Sequence, residues 1–101
     1  MIYQLRDYRI RPGAMEEWIS EWQVAIRPLR TKFGFKIVGA WIIEAEDRFI
    51  WVLAWDGPGE FQDGDRAYYT SPEREMVEPD PARLIVSVDT RMVRSALEPS
   101  Q

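Results

Sequence analysis

Residues 35–56 read FKIVGAWIIEAEDRFIWVLAWD, and this stretch predicts two strands joined by a short polar turn. We expect the strands over residues 35–44 and 49–56, with Glu46 and Asp47 in the turn. Successive side chains of a strand point to opposite faces, and here the residues on either face are mostly apolar. Sheets of this kind are covered on both sides. One side must therefore meet helices of the chain, and the other side needs a second sheet, most simply from a second copy of the chain.

The stretch before this hairpin predicts a long helix over residues 14–33. Its apolar residues recur mainly at intervals of three and four, which places them on one stripe of a helix. That stripe consists of Met15, Trp18, Ile19, Trp22, Ile26, Leu29 and Phe33. Pro28 lies inside the helix and cannot donate a hydrogen bond to the carbonyl of Val24, so we expect a kink there.

The remaining segments complete a β-α-β-β-α-β order. We expect a first strand over residues 2–10, a weaker helix over 60–70 and a last strand over 84–96. The inward side of the weaker helix should carry Phe61, Ala67 and Tyr68. This order is the ferredoxin-like split βαβ unit. It belongs to the α+β class and has an antiparallel sheet in which the first and third strands are central neighbours.

The composition of this 101-residue chain excludes several kinds of function. With no histidine and no cysteine, the usual general base, thiolate nucleophile and metal ligands are missing, and we expect neither a metal nor another cofactor. The net charge of −4 argues against nucleic acid as a partner, and no apolar run reaches the roughly 20 residues of a membrane span. Lack of cysteine is typical of a reducing compartment, so we expect a cytoplasmic protein. We expect a single domain over residues 1–97 and a flexible tail over 98–101.

Several local phrases resemble the NIPSNAP-like family. They are Met1-Ile2-Tyr3-Gln4-Leu5-Arg6-Asp7-Tyr8 with Pro12-Gly13, Pro28-Leu29 with Gly34-Phe35, Val38-Gly39-Ala40-Trp41, and Tyr68-Tyr69-Thr70-Ser71-Pro72-Glu73-Arg74. The resemblance covers most of the chain and implies a dimeric α+β barrel, in which the sheets of two copies pack face to face. It supplies no catalytic motif to carry over. Relatives in the wider barrel superfamily that bind or degrade haem usually use a histidine ligand, which this chain lacks.

A candidate ligand site follows if the two sheets enclose a cavity. We expect Ile50, Val52 and Ala54 to face the helices, which turns Trp51 and Trp55 toward the second sheet. The first strand would then present Tyr3 and Leu5 to the helices, and the last strand Val86 and Val88. The residues predicted to line the cavity are Arg6, Tyr8, Trp41, Trp51, Trp55, Asp89 and Arg91. Aromatic walls with a few polar groups are typical of a small-molecule site; the alternative is a filled dimer core in which Arg6 pairs with Asp89.

Two functions remain open at this point. The first is binding of a planar or hydrophobic metabolite, with cofactor-independent monooxygenation as its enzymatic form, since the barrel superfamily includes such enzymes. Arg6 or Arg91 would hold an anion, Tyr8 would donate a hydrogen bond and Asp89 would serve as base. The second is a non-enzymatic dimeric module whose apolar sheet face serves assembly only.

The sequence also contains acidic residues that we interpret structurally. Glu44, Glu46 and Asp47 lie together in the hairpin turn. Without histidine and without a recognisable spacing of ligands, a solvated turn explains them better than a metal site.

Overall fold

The four predicted strands form one antiparallel sheet. In the computed structural model, which describes residues 1–98, the strands are β1 (Ile2–Ile10), β2 (Phe35–Ile43), β3 (Arg48–Trp55) and β4 (Ile85–Val93). They lie in the order β2-β3-β1-β4, so β1 and β3 are the central neighbours. Both neighbours of β1 run antiparallel to it. The predicted ferredoxin-like α+β architecture is therefore confirmed.

The helices lie on one face of this sheet, which we call the covered face. They are α1 (Met15–Glu21), a π-helical turn (Trp22–Ile26), α2 (Arg27–Lys32), α3 (Phe61–Tyr69) and the short α4 (Pro72–Glu75). One-turn 3-10 helices at Glu44–Glu46 and Pro81–Leu84 complete the connections. The opposite face, which we call the open face, has no covering layer among residues 1–98. Within that part of the chain no helix is both long and apolar enough to cross a membrane.

The segments α1, the π-helical turn and α2 form one continuous helix, as the sequence predicts. Its irregularity lies immediately before Pro28, which has no N–H to give. In the turn at Trp22–Ile26, the chain takes up one extra residue, and the N–H of Arg27 donates to the carbonyl of Trp22. The kink expected at the proline is thus a change of helical winding that turns Trp22 and Ile26 toward the sheet, where both are buried.

The structure reverses the predicted faces of the two central strands. Trp51, Leu53 and Trp55 of β3 are buried on the covered face, and Ile50 and Val52 lie on the open face. In β1 the buried residues are Arg6, Tyr8 and Ile10. The expectation that Tyr3 and Leu5 meet the helices is therefore wrong. The alternation pattern locates both strands correctly, but in β3 it cannot tell the faces apart because the residues on both are apolar.

A bulge in β2 changes the position of Trp41. Ile37 pairs with Leu53 and Gly39 pairs with Val52, so Val38 is an extra residue in the ladder. Beyond the bulge Trp41 pairs with Ile50 and lies on the open face, 55% exposed. A side chain at Gly39 would meet the indole of Trp41, because the ring lies across that glycine. The strand has changed which alternate positions it presents to the helices.

The second helical region closes the other end of the core. Phe61, Gly64 and Tyr68 are the buried residues of α3. A Cβ at Gly64 would lie 2.6 Å from the indole of Trp55, so this helix packs with its backbone directly on the ring. Ala67 is exposed rather than inward as expected. Of the predicted tail, residues 99–101 lie outside the described residues.

Candidate functional site

A cavity of about 200 Å³ lies between the sheet and the helices. It is lined mainly by aromatic rings and guanidinium groups. The lining residues are Arg6, Tyr8, Trp18, Ile26, Arg30, Trp51, Tyr68, Tyr69, Arg74, Ala82, Ile85 and Val88. Among residues 1–98, no carboxylate belongs to this lining.

Arg6 lies at the floor of this cavity, which we call the sheet–helix cavity, and is 5% exposed. Its Nε donates to the hydroxyl of Tyr8 at 2.8 Å, and one terminal nitrogen donates to the hydroxyl of Tyr69 at 2.7 Å. The other terminal nitrogen donates to the Oε1 of Gln4 at 2.6 Å. All three partners are neutral oxygens, and no carboxylate of residues 1–98 forms an ion pair with this guanidinium. Arg6 is therefore a buried cation without a counter-charge in direct contact.

Tyr8 is poised to donate a hydrogen bond into the cavity. Burial raises the pKa of Tyr8 to about 12, although the Arg6 guanidinium opposes that shift. The phenol is thus protonated at neutral pH. Its oxygen accepts from Arg6, and within residues 1–98 its proton has no acceptor. The Tyr69 hydroxyl is placed in the same way, which leaves two O–H donors beside the cation.

Two further guanidinium groups reach the cavity from the helices. Arg30 of α2 is 1% exposed and donates to the Oδ1 of Asp65 at 2.7 Å. Its guanidinium lies over the ring of Tyr68, with 3.8 Å from Cζ to the ring centroid. Arg74 follows the N-cap of α4 and donates to the Oδ1 of Asp80 at 3.0 Å. Unlike Arg6, both are ion-paired.

The cavity also has an excess of hydrogen-bond donors. Four of its buried N–H groups have no partner among the described residues: Nε1 of Trp18, Nε1 of Trp51, Nε of Arg30 and Nε of Arg74. A buried donor without an acceptor costs about 1–3 kcal/mol. Where a ligand moves a lining side chain enough to reach one of these groups, an acceptor oxygen would recover that free energy. The arrangement therefore suits an acceptor-rich, negatively charged compound.

The predicted site residues divide between the two faces. Arg6, Tyr8 and Trp51 lie together in the sheet–helix cavity. Trp55 is on the same face but packs at one end of the core, against Phe35 and Gly64. The remaining three, Trp41, Asp89 and Arg91, are exposed on the open face.

This division corrects the expected pairings. Asp89 forms its ion pair with Arg91, and in the ladder it lies opposite Asp7, so it does not neutralise Arg6. It also cannot act as a base on a compound held at Arg6, because the sheet separates them. Val88 does face the cavity, as expected for the last strand.

Sequence reasoning missed Arg30, Tyr69 and Arg74. Arg30 follows Trp22 and Ile26 at intervals of four, so it continues the buried stripe of the long helix. Its position in that stripe was the available signal, although a basic residue in the last turn also suits the helix dipole. Helical spacing places Tyr68 inward and leaves Tyr69 out of the predicted set, and nothing in the local sequence marks Arg74.

The site can stabilise an anion but offers no evident base. The chain has no histidine, and a phenol with a pKa near 12 does not accept a proton at neutral pH. Asp65 and Asp80, the carboxylates that bind lining residues within residues 1–98, are held in ion pairs. Residues 1–98 also contain no group of three acidic side chains placed to hold a metal ion.

Known proteins with the same architecture were found by family profile and by structure. A NIPSNAP family profile matches residues 3–96. A NIPSNAP domain protein from Burkholderia xenovorans superimposes with a TM-score of 0.82 at 17% identity, covering 99% of this chain and 100% of its own. A NIPSNAP family protein from Agrobacterium tumefaciens gives 0.83 at 16% identity, covering 99% and 98%.

More distant structures share the fold alone. A putative antibiotic biosynthesis monooxygenase from Nitrosomonas europaea gives a TM-score of 0.71 at 7% identity, covering 98% of this chain and 93% of its own. No functionally curated protein matches the sequence. The family profile spans nearly the whole domain, and the chain belongs to the NIPSNAP family.

Proposed function

We propose that this protein binds a small planar organic acid in the sheet–helix cavity. The observation that carries the proposal is Arg6, a buried guanidinium whose hydrogen-bond partners are all neutral. Burying a cation without a counter-charge costs stability. A bound carboxylate or phenolate would supply that charge and would accept from the free O–H groups of Tyr8 and Tyr69.

The walls of the cavity support a planar ligand. The guanidinium groups of Arg6 and Arg30 both lie over the Trp51 ring, with their Cζ atoms 5.7 and 6.0 Å from its centroid. Trp18 and Tyr68 provide further aromatic surface. The volume of about 200 Å³ is below the roughly 300–1,000 Å³ of common ligand pockets. A compound with one ring suits this space better than a polycyclic one.

The enzymatic form of this proposal is cofactor-independent monooxygenation, which the shared fold of the Nitrosomonas europaea protein supports by analogy. Such chemistry needs an electron-rich anion in a dry pocket. The cavity supplies the stabilising donors but no free carboxylate. A substrate would therefore have to be acidic enough to enter as its anion, with Arg6 holding the charge and Tyr8 donating to the oxygen.

Arg6→Ala tests the binding function. Titration of benzoate into the wild-type protein should change tryptophan fluorescence in a saturable way, because Trp18 and Trp51 line the cavity. Arg6→Ala should weaken benzoate by about tenfold to a hundredfold, the value of one or two charged hydrogen bonds. Benzamide, which has nearly the same shape and no charge, should lose much less.

Arg91→Ala is the matched control. It removes the same kind of side chain from β4, but on the open face, where Arg91 pairs with Asp89 and with no other carboxylate of residues 1–98. Benzoate binding should be unchanged. The proposal fails if no planar acid gives a saturable signal, or if the two alanine variants weaken benzoate equally.

A second function, self-assembly, rests on the open face. Trp41 is 55% exposed there, and Leu5, Ile50 and Val52 are only partly buried. Contiguous apolar surface of this kind marks association sites. We propose that two copies pair through this face to form a homodimer, and that neither nucleic acid nor a membrane is a partner. The cysteine-free sequence supports a cytoplasmic location.

A further inference from the structure

The charges around the sheet–helix cavity are unequal in a way that bears on its ligand. Three guanidinium groups line it, from Arg6, Arg30 and Arg74. Two of them have a carboxylate partner outside the lining: Asp65 for Arg30 and Asp80 for Arg74. These five groups leave one net positive charge, and the cation without a direct counter-charge is Arg6.

The two paired cations still have unused donors. The Nε atoms of Arg30 and Arg74 are buried without a partner among residues 1–98, and so are the indole N–H groups of Trp18 and Trp51. These N–H groups can donate to neutral oxygens, such as carbonyl, amide or hydroxyl oxygens, as well as to charged ones. The cavity therefore suits a ligand with several hydrogen-bond acceptors but only one negative charge.

We propose that the cavity selects a monoanion: a planar acid with a single ionised group at Arg6 and a neutral acceptor oxygen toward Arg30 and Arg74. This inference rests on the proposed binding function and adds the charge and polarity of its ligand. A second carboxylate would lose its hydration on entering the cavity and find Arg30 already neutralised by Asp65. Desolvation without a free counter-charge disfavours ions strongly, so the dianion should be rejected.

The test compares two compounds of nearly identical shape, 3-carbamoylbenzoate and isophthalate. The first carries one carboxylate and one neutral amide, and the second carries two carboxylates. Measured by tryptophan fluorescence and by calorimetry at neutral pH, the wild-type protein should bind 3-carbamoylbenzoate at least about tenfold more tightly than isophthalate. If these rings are too large while benzoate binds, the smaller planar pair of fumaramate and fumarate makes the same comparison.

Asp65→Asn should change this preference. The substitution keeps the size of the side chain and removes the negative charge that pairs with Arg30, so a second buried cation becomes available. Isophthalate should then gain about tenfold or more relative to 3-carbamoylbenzoate. Asp89→Asn is the matched control, because it makes the same change at an exposed ion pair on the open face and should leave the preference unchanged.

If Asp65→Asn does not fold, as judged by circular dichroism, Asp80→Asn serves instead. An asparagine there retains an oxygen to accept from the N–H of Ala82, and it frees Arg74 in place of Arg30. The inference is overturned if wild-type protein binds the dianion as tightly as the monoanion, or if a folded Asp65→Asn or Asp80→Asn variant keeps the wild-type preference. In either case benzoate would still bind, whereas failure of the proposed function would abolish binding of benzoate as well.

Discussion

The covered and open faces of the sheet are made by the same four strands but differ in how the charges of their strand residues are compensated. On the open face Arg48 binds Asp7 and Glu46, and Arg91 binds Asp89. The covered face buries Arg6 with only neutral partners. The buried side thus holds the less compensated cation, which is the reverse of what stability alone favours. This uncompensated cation is the basis of the proposed ligand binding.

A single negative charge placed at adjacent positions of β3 tests the difference between the two faces most strongly. Leu53 is fully buried under the helices, so Leu53→Glu should cost more than about 4 kcal/mol of unfolding free energy and leave the chain unfolded. Urea denaturation followed by tryptophan fluorescence measures this. A cooperative transition near that of the wild type would mean that the covered face is not the core.

Val52→Glu makes the corresponding change on the open face. Val52 is partly buried and lies between Leu5 and Gly39 in the sheet. We expect a folded chain that sediments as a monomer, whereas the wild type should sediment as a dimer, because a carboxylate in an apolar interface has no counter-charge. A wild-type protein that is monomeric at micromolar concentration contradicts the proposed homodimer.

Gly64→Ala probes how closely the covered face is packed. The added methyl group would lie 2.6 Å from the Trp55 ring, so the helix or the indole must move. We expect a loss of about 1–3 kcal/mol in spite of the better helix propensity of alanine. Gln62→Ala, at an exposed position of the same helix, should change stability by less than about 0.5 kcal/mol. Equal effects of the two substitutions would argue against direct packing of α3 on Trp55.

The smallest effect is expected from Tyr8 at alkaline pH. Burial raises the pKa of Tyr8 from 10.0 to about 12, so above pH 10 the unfolded chain releases this proton while the folded chain retains it. The contribution is fully present below pH 10 and is lost as the pH rises toward 12. In Tyr8→Phe the decline of stability over this window should be shallower. In ultraviolet titration, the phenol missing from the variant should be one that ionises late; loss of one that ionises near pH 10 would refute its buried state.

The sequence predicts the helices and strands and their order because the apolar residues of each segment recur at the interval typical of a helix or of a strand. The stripe from Met15 to Phe33 requires a helix, and alternation in β3 requires a strand. It does not predict the faces. In β3 the residues on both faces are apolar, and in β1 the polar Arg6 stands where a stable core would have a leucine, so the pattern points the wrong way. Local rules fail at functional sites for this reason.

The candidate site was predictable in part. The structure brings Arg6, Tyr8 and Trp51 together, as predicted, but on the covered face and not on the inter-sheet face where they were expected. The contributions of Arg30 and Arg74 depend on how the helices lie over the sheet, and no local pattern records that. The net charge that they bring to the cavity also depends on their ion pairs with Asp65 and Asp80, which are distant in sequence from Arg6.

The bulge at Val38 changes which alternate residues of β2 face the core. Up to Ile37 the odd-numbered residues face the core, and from Gly39 onward the even-numbered residues do. Whether a residue of β2 faces the core therefore depends on its position relative to the bulge. Inserting or deleting one residue ahead of Trp41 would exchange the covered and open faces for the residues of β2 that follow the change. When relatives of this protein are aligned, a gap at Val38 therefore indicates a change in which tryptophan and isoleucine positions of this strand lie in the core.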